Sequence, residues 1–328
     1  MQAGVTVLAT GALAATLAAC GGSSHRPATT VVVRRATTLA TATASTAPAA
    51  TVTAPAPPPK PPPPAYPQLL QRALGTGLTG FVPVVRWRGQ TAAWIARSAS
   101  GVTLMSFNQR LLTLRLHSGT VDAGALGWRY GPSVHGAERG HLAAAFNGGF
   151  KLSTGAGGFE AYGHVGAPLR NGLGSIVTYA DGSTAIGSWH QGVPVPGKRV
   201  VSVRQNLTLL IDHSTAASTV NCTSCWGATL GGVDDPARSA LGVTADGRLI
   251  WAAGEHLTVS QLAGALLGAH VMRAVELDIN PEWVAGYLYG HRGGHGPLAP
   301  VPAMSAQQGI PGQYLAPWSR DFFTVVAR

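Results

Sequence analysis

Three acidic residues lie close together in a chain that has only 13 Asp and Glu residues: Glu276, Asp278 and Glu282. They end an apolar run that begins at Val271 and predicts a buried strand. Carboxylates two positions apart lie on one face of a strand. A carboxylate at the end of a buried strand is costly unless it is paired or functional. Glu276 and Asp278 are therefore candidate catalytic acids, and a role in capping the next loop is the alternative.

A second candidate segment is Asn147-Gly148-Gly149, which follows the apolar run Leu142–Phe146. Glycines let backbone N–H groups approach a ligand closely, and an asparagine side chain both donates and accepts hydrogen bonds. We therefore predict a catalytic role for Asn147 and substrate binding by Gly148 and Gly149. An Asn-Gly hairpin turn would explain the same residues without any ligand.

Arg238 stands at the entrance of another apolar run, which leads to the Asp246-Gly247 turn. Its guanidinium is suited to bidentate binding of phosphate, so Arg238 is a candidate catalytic cation. A surface salt bridge is the alternative for this residue. Asn280, beside Asp278, and Glu160, after a glycine run, are candidate substrate-binding residues, although Glu160 could be only a turn residue.

The remaining reactive side chains favour structural roles. Cys222 and Cys225 have no second cysteine pair and no βαβ context, so a local disulfide is favoured over a redox or zinc pair in a protein outside the cytoplasm. His291 and His295 fall in the Gly/Pro-rich segment Gly286–Pro302 without a third ligand pattern. We predict no metal site and no cofactor, and expect this segment to be a mobile loop over the cleft.

Short apolar runs typical of strands dominate the part of the chain that must position these residues. Gly (43 residues) and Pro (23 residues) are frequent, as in loop-rich β proteins. One helix is predicted, capped by Thr258 with Gln261 completing a capping box, and 68–74 is a second, shorter candidate. Asp181-Gly182 and Asp246-Gly247 predict hairpin turns. The predicted strands are Phe81–Trp87, Ala92–Arg97, Val102–Phe107, Leu111–Leu116, Leu142–Phe146, Ser175–Tyr179, Val200–Arg204, Leu207–Asp212, Ala240–Thr244, Leu249–Ala253, Val271–Asp278 and Phe322–Val326. The fold class expected is α+β, a single β-rich domain with a mixed or antiparallel sheet and few helices.

The N-terminal region has a different composition. Residues 1–20 resemble a lipoprotein signal peptide that ends at a lipobox cysteine, Cys20, although a secretory signal with a chance cysteine is the alternative. Residues 21–65 lack aromatic residues and end in a proline run, which predicts a disordered tether. The folded domain is predicted over residues 66–328. We therefore expect an extracytoplasmic lipoprotein held at a membrane, or alternatively a secreted protein.

Charge and hydropathy limit the other classes of function. No apolar run is long enough for a multispanning membrane protein. The net charge of +10 is compatible with an anionic partner or with a solvated basic surface. No basic block, aromatic RNA-binding signature or zinc-finger spacing is present, so we do not expect a nucleic acid partner.

The segments Phe146–Phe150, Arg238–Gly247, the Thr258 helix and Glu276–Asp278 together resemble the phosphodiester glycosidase family in order and spacing. The resemblance implies hydrolysis of a sugar–phosphate diester, with an anionic sugar-phosphate or envelope glycan as substrate. The family commonly has a glycine-rich segment where this chain has Ile279–Glu282. That departure favours the alternative of a non-catalytic, tethered envelope protein that binds an anionic glycan.

Overall fold

The computed structural model describes residues 80–124, 127–227, 232–291 and 297–328. The expected signal segment with Cys20, the tether at 21–65 and the short helix at 68–74 lie outside these residues. Among the described residues, no helix is both long and apolar enough to cross a membrane.

Strands make up most of the regular structure in the described ranges. The first nine are β1 (Val82–Trp87), β2 (Gln90–Arg97), β3 (Thr103–Phe107), β4 (Leu112–His117), β5 (Leu142–Asn147), β6 (Phe159–Ala161), β7 (His164–Ala167), β8 (Gly174–Tyr179) and β9 (Thr184–Ser188). The next nine are β10 (Val200–Gln205), β11 (Leu209–Asp212), β12 (Thr215–Ala216), β13 (Arg238–Thr244), β14 (Leu249–Gly254), β15 (Val271–Glu276), β16 (Gly286–His291), β17 (Leu298–Pro302) and β18 (Phe322–Ala327). One α-helix, α1 (Val259–Gly268), lies between β14 and β15.

The strands form three antiparallel sheets. The largest has eight strands in the order β1-β2-β3-β14-β13-β15-β11-β12, and the others have the orders β7-β6-β10-β8-β9 and β17-β16-β5-β18-β4. Strand β13 lies between β14 and β15, with Ala240 opposite Glu276. Strand β18 lies beside β5, with Phe322 opposite Asn147. Contacts between the two sheets, from Asn147 to Ser239 and from Arg320 to Asp278, bring the ends of these strands into the same part of the fold.

Alternate residues of the large sheet bury two different faces. Leu249 and Trp251 of β14 belong to the core shared with the other two sheets, whereas Ile250 and Ala252 belong to the cluster that packs against α1. Side chains alternate across a strand, so a strand covered on both faces must be apolar throughout. This burial explains why several of the predicted strands are uninterrupted apolar runs.

The structure confirms the predicted N-terminal cap of α1. Thr258 Oγ1 accepts a hydrogen bond from the Gln261 backbone N–H, and the Gln261 side chain accepts one from the Thr258 backbone N–H. Leu262 and Leu266 of α1 are fully buried against the large sheet.

The fold class needs a correction. Each predicted strand overlaps an observed one, but α1 is the only α-helix in the described residues, so the domain is mostly β rather than α+β. Within the segment Gly286–Pro302, expected to be a loop, Gly286–His291 and Leu298–Pro302 form the paired strands β16 and β17, and Tyr287 and Leu288 also pair with β5. Prolines at 300 and 302 are accommodated because β17 is an edge strand.

Candidate functional site

A pocket of about 440 Å³ opens where three chain segments meet. The segment after β5, the loop after β15 and the segment that contains the cysteine pair each supply part of its wall. The lining residues are Phe150, Lys151, Thr154, Gly155, Ala156, Leu207, Ser224, Cys225, Gly227, Asp278, Ile279, Asn280 and Trp283. Of the four predicted catalytic residues, Asp278 is the one that lines this pocket.

Asp278 is held from both sides of its carboxylate. Oδ1 accepts hydrogen bonds from the backbone N–H groups of Ile279 (2.8 Å) and Asn280 (3.0 Å). Oδ2 lies 3.3 Å from Nη2 of Arg320. These bonds fix the orientation of the carboxylate at the pocket wall.

The environment of Asp278 shifts the pKa of its carboxyl group. Burial raises the pKa of Asp278 to about 6, although the two backbone N–H groups and the Arg320 charge act in the opposite direction. A carboxyl group with such a pKa changes between acid and base near neutral pH, which suits general acid–base chemistry.

Two charged residues that the sequence motifs do not identify, Arg320 and Asp321, anchor the site. Arg320 bridges Asp278 and Asp122, and its Nη2 also donates to the backbone carbonyl of Gly149 (2.8 Å). Burial raises the pKa of Asp122, opposed by the charge of Arg320. The signal in the sequence was a charged pair directly before the apolar strand Phe322–Val326, just as Asp278 comes at the other end of an apolar strand.

A second buried ion pair supports the first. Nε of Arg204 lies 2.8 Å from Oδ2 of Asp321, and both side chains are fully buried. The other nitrogens of the Arg204 guanidinium donate to the backbone carbonyls of Gln205 (2.6 Å) and Phe150 (2.5 Å). The pair therefore ties the end of β10 to the start of β18 and to the segment after β5.

Gly148 and Gly149 lie against this ion pair and do not line the pocket. A Cβ on Gly148 would come within 2.7 Å of the Asp321 backbone oxygen, and a Cβ on Gly149 within 2.8 Å of the Arg204 guanidinium carbon. The prediction that these glycines let a ligand approach the backbone is not supported by this position. In the structure they allow a close approach of the Arg204–Asp321 pair.

Asn147 lies next to Asp278 but behind the pocket wall. Its Nδ2 donates to Ser239 Oγ (2.8 Å), which in turn accepts from the Asp278 backbone N–H (3.2 Å). Asn147 is buried, and its Oδ1 has no hydrogen-bond partner among the described residues. The structure thus brings Asn147 and Asp278 together through Ser239, without placing the amide in the pocket.

Arg238 and Glu276 form a separate buried pair. Nη1 of Arg238 lies 2.8 Å from Oε1 of Glu276, and both side chains are fully buried. Arg238 also donates to the backbone carbonyls of Leu257 (2.8 Å) and Trp226 (3.0 Å). Burial raises the pKa of Glu276 to about 8, against the opposing charge of Arg238.

Arg238 therefore pairs with Glu276 and not with Asp278, and the pair is buried rather than a salt bridge at the surface. Strand pairing places Ala240 opposite Glu276, which gives Arg238 the carboxylate at the end of β15 and leaves Asp278 to Arg320. Neither Arg238 nor Glu276 lines the pocket around Asp278.

The other predicted residues divide between pocket and scaffold. Asn280 lines the pocket, and its Oδ1 accepts from the Glu282 backbone N–H (2.9 Å), which orders the loop after β15. Glu160 lies on β6, opposite Val203 of β10, and does not line the pocket. Cys222 and Cys225 are joined by a disulfide, and Cys225 lines the pocket. No group of three or more His, Cys, Asp or Glu residues in the described ranges is arranged to hold a metal ion.

Comparison with known proteins identifies distant similarity in structure. No protein-family model matches the chain, and no curated protein matches it significantly. The zebrafish N-acetylglucosamine-1-phosphodiester alpha-N-acetylglucosaminidase catalytic domain, auto-inhibited by its pro-peptide, is 16% identical with a TM-score of 0.43, over 76% of this chain and 81% of that one. A hypothetical protein from Synechocystis is 15% identical with a TM-score of 0.41, over 76% of this chain and 61% of that one. These similarities are distant and concern the backbone architecture alone.

Proposed function

We propose that this protein is a hydrolase that cleaves the bond between a sugar and a phosphate in a phosphodiester. The observation that carries the proposal is Asp278, a carboxylate with a raised pKa on the wall of a pocket of about 440 Å³. The ordered motifs that resemble phosphodiester glycosidases support the choice of substrate class.

The chemistry suits a pocket in which Asp278 is the single carboxylate among the described lining residues. Asp278 accepts a proton from water as the water oxygen attacks the anomeric carbon. The bond from that carbon to the phosphate oxygen breaks, and its electron pair leaves with the phosphate monoester. Because a phosphate monoester is a good leaving group, the site needs less help from a general acid than a site that expels an alcohol.

The test is release of free sugar from a panel of glycosyl phosphodiesters by the full-length protein. Reaction in ¹⁸O-labelled water identifies the bond that breaks, because the label enters the sugar on carbon–oxygen cleavage and the phosphate on phosphorus–oxygen cleavage. We expect labelled sugar from the wild-type protein. Label in the phosphate would replace the glycosidase proposal by a phosphodiesterase, and the absence of any product would contradict both.

A second candidate function is binding of an anionic glycan without cleavage. It is favoured by the ordered loop after β15, where Oδ1 of Asp278 already accepts two backbone hydrogen bonds and Oδ2 faces Arg320. Retention of a glycan phosphodiester with no release of sugar over a long incubation would select this candidate over the hydrolase.

We further propose that the protein is an extracytoplasmic lipoprotein anchored through Cys20, as the Leu17–Cys20 sequence and the aromatic-free linker indicate. Two acyl chains anchor a protein stably, whereas one binds only marginally. Mass spectrometry of the mature N-terminus should find a diacylated Cys20. An unmodified N-terminus at another residue would contradict this proposal.

A further inference from the structure

The pocket beside Asp278 has to attract an anion if its substrate is a phosphodiester, yet the buried charges around it do not favour one. Three buried arginines, Arg204, Arg238 and Arg320, are each paired with a carboxylate. The buried carboxylates in the same set are Asp122, Glu276, Asp278 and Asp321. The Arg238–Glu276 pair does not line the pocket, which leaves Arg204 and Arg320 to face the three carboxylates of Asp122, Asp278 and Asp321. When these three are ionised, one negative charge is left over, so these groups alone would repel an anion.

Lys151 is the cation at the pocket that can reverse this balance. It is the one basic side chain among the described residues that line the pocket, and it is exposed. No carboxylate among the described residues lies within ion-pair distance of the Lys151 ammonium group. By contrast, Nζ of Lys198 lies 2.8 Å from Oδ2 of Asp181. Its charge is therefore available to a bound anion without first breaking an ion pair.

The backbone at Lys151 is fixed, which limits where the side chain can reach. Its carbonyl accepts hydrogen bonds from the Thr154 backbone N–H (3.0 Å) and Thr154 Oγ1 (2.6 Å), at the start of a short 3₁₀ turn. The preceding residue, Phe150, is tied to Arg204 and Asn206. The lysine thus extends from an anchored segment at the pocket wall.

Trp283 lines the pocket from a different segment, the loop after β15. The Lys151 ammonium nitrogen lies 5.9 Å from the centre of the Trp283 ring, and the Arg320 guanidinium lies 5.4 Å from it. Asn280 holds the tryptophan in place, since its carbonyl accepts from the Trp283 backbone N–H (2.8 Å). Indole rings pack well against the apolar faces of sugars because they combine a large apolar surface with little conformational freedom.

We propose that Lys151 and Trp283 form the substrate-recognition subsite of this pocket, in which the ammonium binds the phosphate of a glycosyl phosphodiester and the indole packs against its sugar ring. The inference rests on the proposed function for the class of substrate. It assigns recognition to side chains that lie outside the buried ion pairs, and it separates binding of the anion from the chemistry at Asp278.

The test is calorimetric binding of a probe from which sugar cannot be released. A suitable probe is the methyl ester of a C-glucosyl methylphosphonate, in which a methylene group replaces the anomeric oxygen. Methyl glucoside and inorganic phosphate provide the neutral and sugar-free comparisons. The variants of the full-length protein are Lys151→Ala, Lys151→Arg and Trp283→Ala, with Lys198→Ala as the control lysine that does not line the pocket.

Lys151→Ala should weaken binding of the phosphonate about tenfold, as loss of one charged hydrogen bond predicts, while Lys151→Arg restores most of it. Trp283→Ala should weaken the phosphonate and methyl glucoside but not inorganic phosphate. Lys198→Ala should change nothing. Equal affinity of wild type and Lys151→Ala would overturn the inference, as would failure of the phosphonate to bind or equal binding of phosphonate and inorganic phosphate.

The same variants separate this inference from the proposed hydrolase. Lysine-dependent binding of the phosphonate without cleavage of any phosphodiester would retain the subsite and reject the hydrolase. Cleavage with the same KM in wild type and Lys151→Ala would retain the hydrolase and reject the subsite.

Discussion

Asp278 combines two properties that a reactive carboxylate needs, a fixed orientation and a shifted pKa. The two backbone hydrogen bonds to Oδ1 set the orientation, and burial sets the pKa, with Arg320 opposing the shift. Glu276 has the raised pKa but no access to the pocket, because Arg238 encloses it in a fully buried pair. Access to the pocket therefore decides between the two acids.

Replacement of Asp278 by Asn tests this choice. Asparagine keeps the volume and can still accept both backbone hydrogen bonds through its side-chain oxygen, so the fold should persist. Turnover should fall about 10²–10⁴-fold, the usual contribution of a positioned acid or base. Steady-state kinetics on a cleaved phosphodiester measure the loss, with Asp246→Asn, in an exposed hairpin turn, as the control. Full activity in the Asp278 variant would remove it from the mechanism.

The pH dependence of turnover should report the same carboxyl group. In the proposed mechanism Asp278 acts as a base, so activity should rise with pH through the raised pKa of about 6. Replacement of Arg320 by Gln removes a charge that lowers this pKa, so the rise should move to higher pH. A pH–rate profile of both proteins measures the displacement. A profile that is identical in both, or that moves to lower pH, would contradict the assignment.

At the scale of the element, the turn after β5 depends on how closely two strands approach. Gly148 to Ala would place a methyl group within 2.7 Å of the Asp321 backbone oxygen, which the Arg204 pair and strand β18 hold in place. We expect a loss of about 3 kcal/mol in the free energy of unfolding, at the upper end for overpacking. Urea denaturation measures it.

For a second glycine, replacement by alanine should stabilise the protein. Gly264 in α1 is exposed and has open space where a Cβ would stand. Its replacement by Ala should raise the free energy of unfolding by about 0.5–1 kcal/mol, because alanine favours the helical backbone. If the Gly148 variant proved as stable as the Gly264 variant, the close approach of Asp321 would not constrain the turn.

Several of the strands that the sequence predicts are buried along their whole length. Leu249–Ala253 and Leu142–Phe146 are continuous apolar runs because neighbours cover both of their faces. Strands β7 and β16 contain glycine and histidine, and β17 contains two prolines, so their local pattern is that of a loop. Strand β16 also pairs with β5, which is distant in sequence, and no local pattern records that pairing.

The residues of the candidate site also divide into those that a local sequence pattern identifies and those that it does not. The position of Asp278 after an apolar strand marked it as a costly carboxylate, and the structure places it on the pocket wall. Its cation could not be chosen from the sequence, because Arg238 and Arg320 are separated from it by 40 and 42 residues and strand register selects between them. Lys151 was missed because an exposed lysine after a glycine pair carries no local cost that would signal a function.

For the whole molecule, eight acids have a shifted pKa, and they form two groups with opposite effects on stability. Burial raises the pKa of one group, which comprises Asp122, Glu255, Glu276 and Asp278. The pKa is lowered in the other group, Glu138, Asp181, Asp212 and Asp246, and the last three are exposed enough for solvent to weaken their contribution. For Glu138, burial acts to raise the pKa, but hydrogen bonds from His117 and Thr324 and the charge of Arg115 outweigh it.

The acids whose pKa is raised should make the protein less stable as the pH increases from 5 to 8. The folded state binds protons on Asp278 and Glu276 that the unfolded state has already released, so their contribution is complete below their ordinary pKa values and disappears as the pH passes about 6 and about 8. We expect Tm to fall across this range, and Glu276→Gln, although less stable, to show a flatter dependence between pH 6 and 8. Asp246→Asn should keep the wild-type slope, because the lowered pKa of Asp246 lies below this window. Scanning calorimetry at several pH values provides the comparison.

A Tm that rises from pH 5 to 8, or a slope that Glu276→Gln leaves unchanged, would show that Glu276 stays ionised beside Arg238 throughout. The buried pair would then act as a permanent ion pair that does not titrate.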